Sequence, residues 1–229
     1  RHNWEIKRDW LSRAPGVVPS LNICVQTYTA PGDEIIVQSP VYYPFFSAVE
    51  NNGRRIVKNP LLYKDNRWQM DLADLQRKID GRTRMLILCS PHNPVGRVWS
   101  RGELEALTEI ILENDLLLVS DEIHEEHVYQ GYKHLPISSL SPEIANRTIT
   151  LTAASKAFNI AGLTTSVVII PNQKLLNLYN IKMENLGLTT GNIFGLVALE
   201  AAYTQGEAWI EQLVEYLEGN MEFARRFFE

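Results

Sequence analysis

The sequence predicts an α/β fold with a mostly parallel sheet, on three observations. Short apolar runs alternate along the chain with longer stretches of helical periodicity. Strand and helix signals take turns up to about residue 170, the pattern of parallel strands joined by crossover helices. Polar motifs stand directly after the apolar runs, where open α/β sheets carry their ligand sites.

Taken in order, Pro19 to Ala30 reads as the first helix, with proline in its first turn. Glu34–Gln38 is the first strand. Tyr43 to Asn52 is a helix ended by Gly53. Arg55–Lys58 and Arg84–Cys89 are strands. Ser100 to Asn114 is the clearest helix: Ser100 and Glu103 form a capping box, and Leu104, Leu107, Ile110 and Ile111 make its apolar face. Leu116–Ser120, Thr148–Leu151 and Val167–Ile170 complete the strands. The chain then turns helical over Gln173–Leu186, Asn192–Tyr203 and from Glu207 onward. In that last stretch Trp209, Leu213, Tyr216, Leu217, Ala224, Phe227 and Phe228 recur at helical spacing.

With 229 residues, 45% hydrophobic and 21% charged, the composition is that of a globular domain with a substantial core. A net charge of −5 argues against nucleic acid, whose phosphates call for a basic face. Cys24 and Cys89 lie far apart and match no zinc or redox spacing. No apolar run approaches the ~18 residues of a membrane span and no signal-peptide pattern opens the chain, so the cytoplasm is the expected compartment. The chain starts at Arg1 without a methionine and stops inside an apparent helix, so it reads as a piece of a longer protein.

Residues 116–127, LLLVSDEIHEEH, pose the functional question: a buried strand runs into a carboxylate and an imidazole. DEIH spells a DExH box, but the chain holds no G-x-x-x-x-G-K-[ST] loop to cradle phosphates. His124 and His127 are three apart, whereas the helical zinc motif places its histidines four apart, and no third ligand is evident. No metal is therefore expected, and Glu125, Glu126 and His127 read as a solvated face.

The third answer is a carboxylate that holds a cationic ring nitrogen. Lys156 follows TLTAAS, a small-residue stretch that permits close approach. A lysine buried there has a lowered pKa and becomes a nucleophile toward aldehydes. Pyridoxal phosphate needs such a lysine, and a carboxylate at its pyridinium nitrogen to keep the ring an electron sink. Asp121 suits the second role. Asn93 suits a bond to the ring hydroxyl, and Tyr42 suits stacking on the ring. The phosphate wants a helix N-terminus, which Gly16-Val17-Val18-Pro19 offers through the backbone N–H groups of Val17 and Val18. Each signal alone has an ordinary structural reading; their order and their place at strand ends make the set specific.

The ordered set PGDEIIVQSPVYYPF, SPHNPVGR, VSDEIH and TAASKAFNIAGL resembles the fold-type I pyridoxal-phosphate enzymes, aminotransferase class I/II, across essentially the whole chain. PGVVPSL, PHNPVGRVW, DEIHEEHVY and SKAFNIAGL are similar to the MalY/PatB branch, the cystathionine or cysteine-S-conjugate β-lyases. The resemblance implies a three-layer α/β/α large domain over 1–229, with 207–229 leading into a smaller domain that this sequence lacks. It implies Lys156 as Schiff-base lysine and proton shuttle, with Asp121 on the ring nitrogen. Asn93 and His124 would lie at the ring hydroxyl, Tyr42 on the ring, and Val17 and Val18 on the phosphate. Two positions depart from the wider family: Ala153 stands where many members have a phosphate-binding serine, and Thr164 where many have an arginine. Thr152 or Ser155 is then expected to substitute, and Asn192 is a candidate for a contact across subunits, with a helix N-cap as its ordinary reading.

By the same resemblance the partner is a small amino-acid substrate and the assembly a homodimer. The reaction is β-elimination at a carbon–sulfur bond. The alternatives are an L-amino-acid aminotransferase and, less favoured, a cofactor-binding regulatory module. The arginine that holds the substrate carboxylate would come from outside this sequence, so turnover is not expected of this stretch alone.

Overall fold

The computed structural model describes residues 2–229; Arg1 lies outside the described residues. Seven strands form one sheet: β1 (Leu11–Ala14), β2 (Glu34–Val37), β3 (Arg55–Lys58), β6 (Thr83–Cys89), β7 (Leu117–Asp121), β8 (Thr148–Thr152) and β9 (Ser166–Ile169). Their order is β1-β9-β8-β7-β6-β2-β3, and β9 alone runs against the rest. A separate hairpin pairs β4 (Leu62–Lys64) with β5 (Arg67–Gln69).

The central strands read as unbroken apolar runs because helices cover both of their faces. On one face Met85, Ile87, Val119, Ile149 and Leu151 join a cluster with α1 (Val17–Tyr28), α2 (Pro44–Glu50) and α6 (Gln173–Asn185). On the other, Leu86, Leu88 and Leu118 pack with α3 (Leu72–Lys78), α4 (Arg101–Glu113) and α5 (Pro142–Ala145). The three expected layers are therefore present. Each fully buried Leu or Ile contributes roughly 1.5–3 kcal/mol of transfer free energy.

The local signals hold where they are strongest. The capping box of α4 is formed on both sides, and its four expected apolar residues are all buried. The first helix begins two residues earlier than expected, at Val17. β7 runs one residue further, so Asp121 is the last residue of the strand. β1, the β4–β5 hairpin, α3 and α5 are not legible in the sequence. Each is short, and LSRA, LYK and RWQ carry no alternation long enough to register.

Two helices, α7 (Ile193–Gln205) and α8 (Glu207–Phe228), follow the three-layer body. Gly195 lets α7 lie against the chain at 163–165: a Cβ there would run into Thr165 Oγ1 and the Leu163 carbonyl. Gly206 makes the same allowance for the Phe158 ring, which a Cβ would overlap. Among the described residues no helix is long and apolar enough to cross a membrane.

Candidate active site

The site is built at the carboxyl ends of β6, β7 and β8. In register, Cys89 of β6 faces Asp121 of β7, which faces Leu151 of β8. The Ser90 N–H donates to the Asp121 carbonyl at 2.9 Å, locking the two strand ends together. The Asp121 side chain is 4% exposed, and its Oδ1 accepts from the Ile123 N–H at 3.1 Å. Burial pushes this carboxyl up to about 7; the Ile123 N–H opposes the rise, the Glu122 charge adds to it and the Lys156 charge reduces it. It is a buried acid that a neighbouring cation would stabilise in its charged form.

Two turns bring Tyr42 and Asn93 together. The Tyr42 N–H donates to the Asn93 carbonyl at 3.1 Å. Behind them His92 Nε2–H donates to the Pro40 carbonyl at 2.8 Å, while its ring stands edge-on to Trp99. Trp99 in turn donates Nε1–H to the Cys89 carbonyl at 3.0 Å, and Cys89 Sγ accepts from the Asn93 N–H at 3.4 Å. His92 and Trp99 support the site but do not stand out in the sequence, although both lie within PHNPVGRVW. Their partners, Pro40 and Cys89, are distant in the chain or belong to its backbone.

Lys156 sits in the turn that follows β8. It is exposed, not buried as expected, because it lies in the turn beyond the end of β8, at the rim of the sheet. Its charge is nevertheless felt across the crevice. Burial, His127 and Lys156 together hold His124 down at about 4, and burial and Lys156 act against protonation of His127. The lysine turn is held from outside: Trp209 Nε1–H donates to the Ala157 carbonyl at 3.0 Å, and Asn192 Nδ2–H to the Leu163 carbonyl at 3.0 Å. Asn192 also accepts from the Phe194 N–H at 3.1 Å, so its N-cap reading is realised. At the start of α1 no side chain caps the helix; Ser20 N–H bonds the Gly16 carbonyl, and the N–H groups of Val17 and Val18 precede the first helical bond.

Two expectations are corrected. Thr150 and Thr152 alternate with Leu151, so they face away from Asp121, and the Thr152 hydroxyl donates to Glu125. Ser155, the other candidate, lies in the lysine turn itself. Nor do Glu125, Glu126 and His127 form a solvated face; all three are half-buried. The Glu125 and Glu126 side chains are only 14% and 10% exposed. Glu122 is fully buried; it accepts from Ser120 Oγ–H at 2.8 Å and from His134 Nε2–H at 2.8 Å. Donor atoms of Glu122, Glu125 and His134 lie within 4.8 Å of one another. Ser120 and His134 engage the two Glu122 oxygens and Thr152 engages Glu125, while the buried His134 Nδ1 has no hydrogen-bond partner among the described residues. The cue missed in the sequence is His134, twelve residues beyond Glu122 in an irregular loop.

Comparison with known proteins agrees with this geometry. The model of the aminotransferase class I and II family matches residues 4–227. Cystathionine beta-lyase PatB of Bacillus subtilis is 44% identical over 99% of this chain and 59% of its own length. Among solved structures, cystalysin from Treponema denticola, which contains a pyridoxal 5'-phosphate cofactor, is 38% identical with a TM-score of 0.98, over 100% of this chain and 58% of that one. A PLP-bound C-S lyase from Staphylococcus hominis is 34% identical with a TM-score of 0.95, over 100% of this chain and 57% of that one. The chain thus spans under three fifths of the length of these relatives. With its parallel sheet, its strand-end carboxylate and its matched length, the chain belongs to the aminotransferase class I and II family.

Proposed function

We propose that the described chain is the cofactor-binding large domain of a pyridoxal-phosphate enzyme. The whole protein, on this reading, is a carbon–sulfur β-lyase that takes cystathionine or cysteine S-conjugates to pyruvate, ammonia and a thiol. The observation that carries the reaction is the 44% identity to a cystathionine β-lyase over 99% of the chain.

The residues fit the cofactor. Asp121 is a buried carboxylate that gains by meeting a cation, and α1 presents two backbone N–H groups at an uncapped N-terminus. Val17, Val18 and Ser155 would hold the phosphate. Tyr42 would cover the ring, Asn93 and His124 would bond its hydroxyl, and Asp121 would hold the proton on its nitrogen. Bound pyridoxal phosphate supplies an electron sink for charge at the substrate Cα. Lys156 would anchor the cofactor through Nζ and, once freed, take the Cα proton as general base. With His124 held neutral near pH 7, its ring can accept or donate a hydrogen bond without adding charge. A homodimer, a smaller domain reached through 207–229, and residence in the cytoplasm belong to the same proposal. Two buried free cysteines are in keeping with a reducing compartment.

The test is the visible spectrum of the protein with added pyridoxal phosphate, followed by pyruvate release from L-cystathionine by the whole protein. A visible band that Lys156→Ala abolishes, together with pyruvate, supports the reading. Glutamate formed from 2-oxoglutarate and an amino acid, with no pyruvate from cystathionine, would replace the lyase by an aminotransferase. A band unaffected by Lys156→Ala removes Lys156 as the anchor.

A further inference from the structure

Asp121 and Glu122 are adjacent carboxylates at the end of one strand, and the alternation of side chains sends them to opposite faces of the sheet. Asp121 faces the α1 side with Val119 and Leu151. Glu122 shares the far side with Ser120, which donates to its Oε1, and with Thr150 and Ser138, whose hydroxyls lie 3.1 Å apart. There Glu122 is 0% exposed and His134 1% exposed, with Nε2 and Oε2 2.8 Å apart. The Glu122 N–H donates to the Leu151 carbonyl at 2.8 Å, so the pair is built into the same strand junction that fixes Asp121.

We propose that His134 is a positioning residue for the site: by pairing Glu122 across the sheet from the crevice, it weakens the negative charge that Glu122 presents to Asp121 at the end of β7. His134 thereby sets the charge that a cationic ring nitrogen would meet. The proposal deepens the cofactor reading, since it rests on Asp121 being the ring's partner. Its physical basis is that charges buried this close are poorly screened, so an unpaired Glu122 would oppose ionisation of Asp121 through the strand. Burial disfavours the charged imidazole, but Glu122 first, then Glu125 and Glu126, outweigh it and hold His134 above the ordinary histidine value. Other groups face the pair. The His2 ring stands edge-on to His134 at 5.2 Å. Glu125 is bonded to Thr152, and Glu126 Oε1 lies 3.4 Å from His2 Nε2. Lys133 and, from α8, Glu211, Glu215 and Glu218 line the cleft outside it.

The experiment follows the side-chain carboxyl carbon of Asp121 by NMR as a function of pH in the chain without cofactor, so it does not depend on cofactor binding. His134→Gln keeps an N–H donor for Glu122 and removes the charge. The expected result is a rise in the proton affinity of Asp121 of about tenfold, one pKa unit. The double variant Glu122→Gln/His134→Gln removes both charges and is expected to return Asp121 to within about twofold of wild type. Glu122→Gln alone is expected to leave the midpoint at or below that of wild type, which keeps the test open if His134→Gln does not fold. An unmoved midpoint in His134→Gln, an unrestored double variant, or a tenfold rise in Glu122→Gln would overturn the proposal. Pyridoxal-phosphate affinity at pH 7 is read in parallel and is expected to follow the Asp121 midpoint, weakening about tenfold in His134→Gln. If the midpoints behave as expected while that affinity stays constant, the charge coupling stands and Asp121 fails as the ring partner.

Discussion

The strands β6, β7 and β8 and the helices α7 and α8 approach the lysine turn from two sides and are built in different ways. In β6 every residue from Met85 to Cys89 is buried, and β8 is buried along its whole length. In α7 only Gly195 is buried, and in α8 only Ile210. The strands carry Asp121, and the turns beside them Asn93 and Tyr42, on a framework stabilised by its own packing. The helices grip the turn of Lys156 through a few directed contacts: Trp209 to Ala157, Asn192 to Leu163, and the Tyr203 ring against Phe158. Their outward faces meanwhile expose Ile193, Phe194, Val197, Phe223 and Phe227. The strand ends are held by many weak contacts, and the lysine turn is held by few. Local opening free energies follow contact density in this way.

That contrast can be broken at its strong end first. Leu88→Ala deletes a fully buried side chain between β6 and α4, and urea unfolding is expected to report a loss of about 2–5 kcal/mol. A smaller loss than that of an exposed-site variant would mean that the sheet is not the stable part.

Asp121→Asn tests what the framework gives up for its site. The folded value of Asp121 is raised to about 7, above that of the unfolded chain, so the folded state binds this proton more tightly. The stability it contributes is full at low pH and is lost as pH rises toward 7. Asparagine carries no such loss. Without cofactor, Asp121→Asn is expected to match wild type near pH 4 and to exceed it at pH 8 by on the order of 2–4 kcal/mol. Equal stability at both pH values would mean that Asp121 is not strained by burial.

Trp209→Phe keeps the aromatic bulk and removes the donor to Ala157. The expected cost is about 1 kcal/mol, concentrated in the lysine turn. Amide exchange at Phe158 and Ile160 should quicken about fivefold while Leu88 is unchanged. Uniform acceleration across both would erase the distinction between the two regions. The smallest effect is expected from Ile193→Ser, on an exposed face of α7. Its unfolding free energy should lie within about 0.5 kcal/mol of wild type, and light scattering should show weaker self-association, since exposed apolar patches mark contact surfaces. A large loss of stability there would mean that Ile193 packs within the chain.

Much of the candidate site is legible in the sequence. Asp121, Asn93, Tyr42 and Lys156 stand in motifs at strand ends, and the fold brings the strand ends that carry them to one rim. Side-chain direction is harder to read. Thr152 lies one position beyond Leu151, and a period of two sends its hydroxyl to the other face. Glu125 and Glu126 look like a charged surface run, yet they are half-buried, with His2 beside both and the Thr152 hydroxyl on Glu125. His92 looks like a spacer between two prolines, and it bonds Pro40, 52 residues away.

The sequence by itself determined what depends on near neighbours: the strand and helix alternation, the capping box at Ser100, the apolar face of α4, and the order of the chemical motifs. These follow from periods of two and 3.6 and from contacts within a few residues. Only the tertiary structure decided which face each strand-end side chain occupies, that Lys156 stands exposed, and that Glu122 pairs with His134. Those outcomes depend on burial and on partners brought together from distant parts of the chain, and local periodicity carries no information about either.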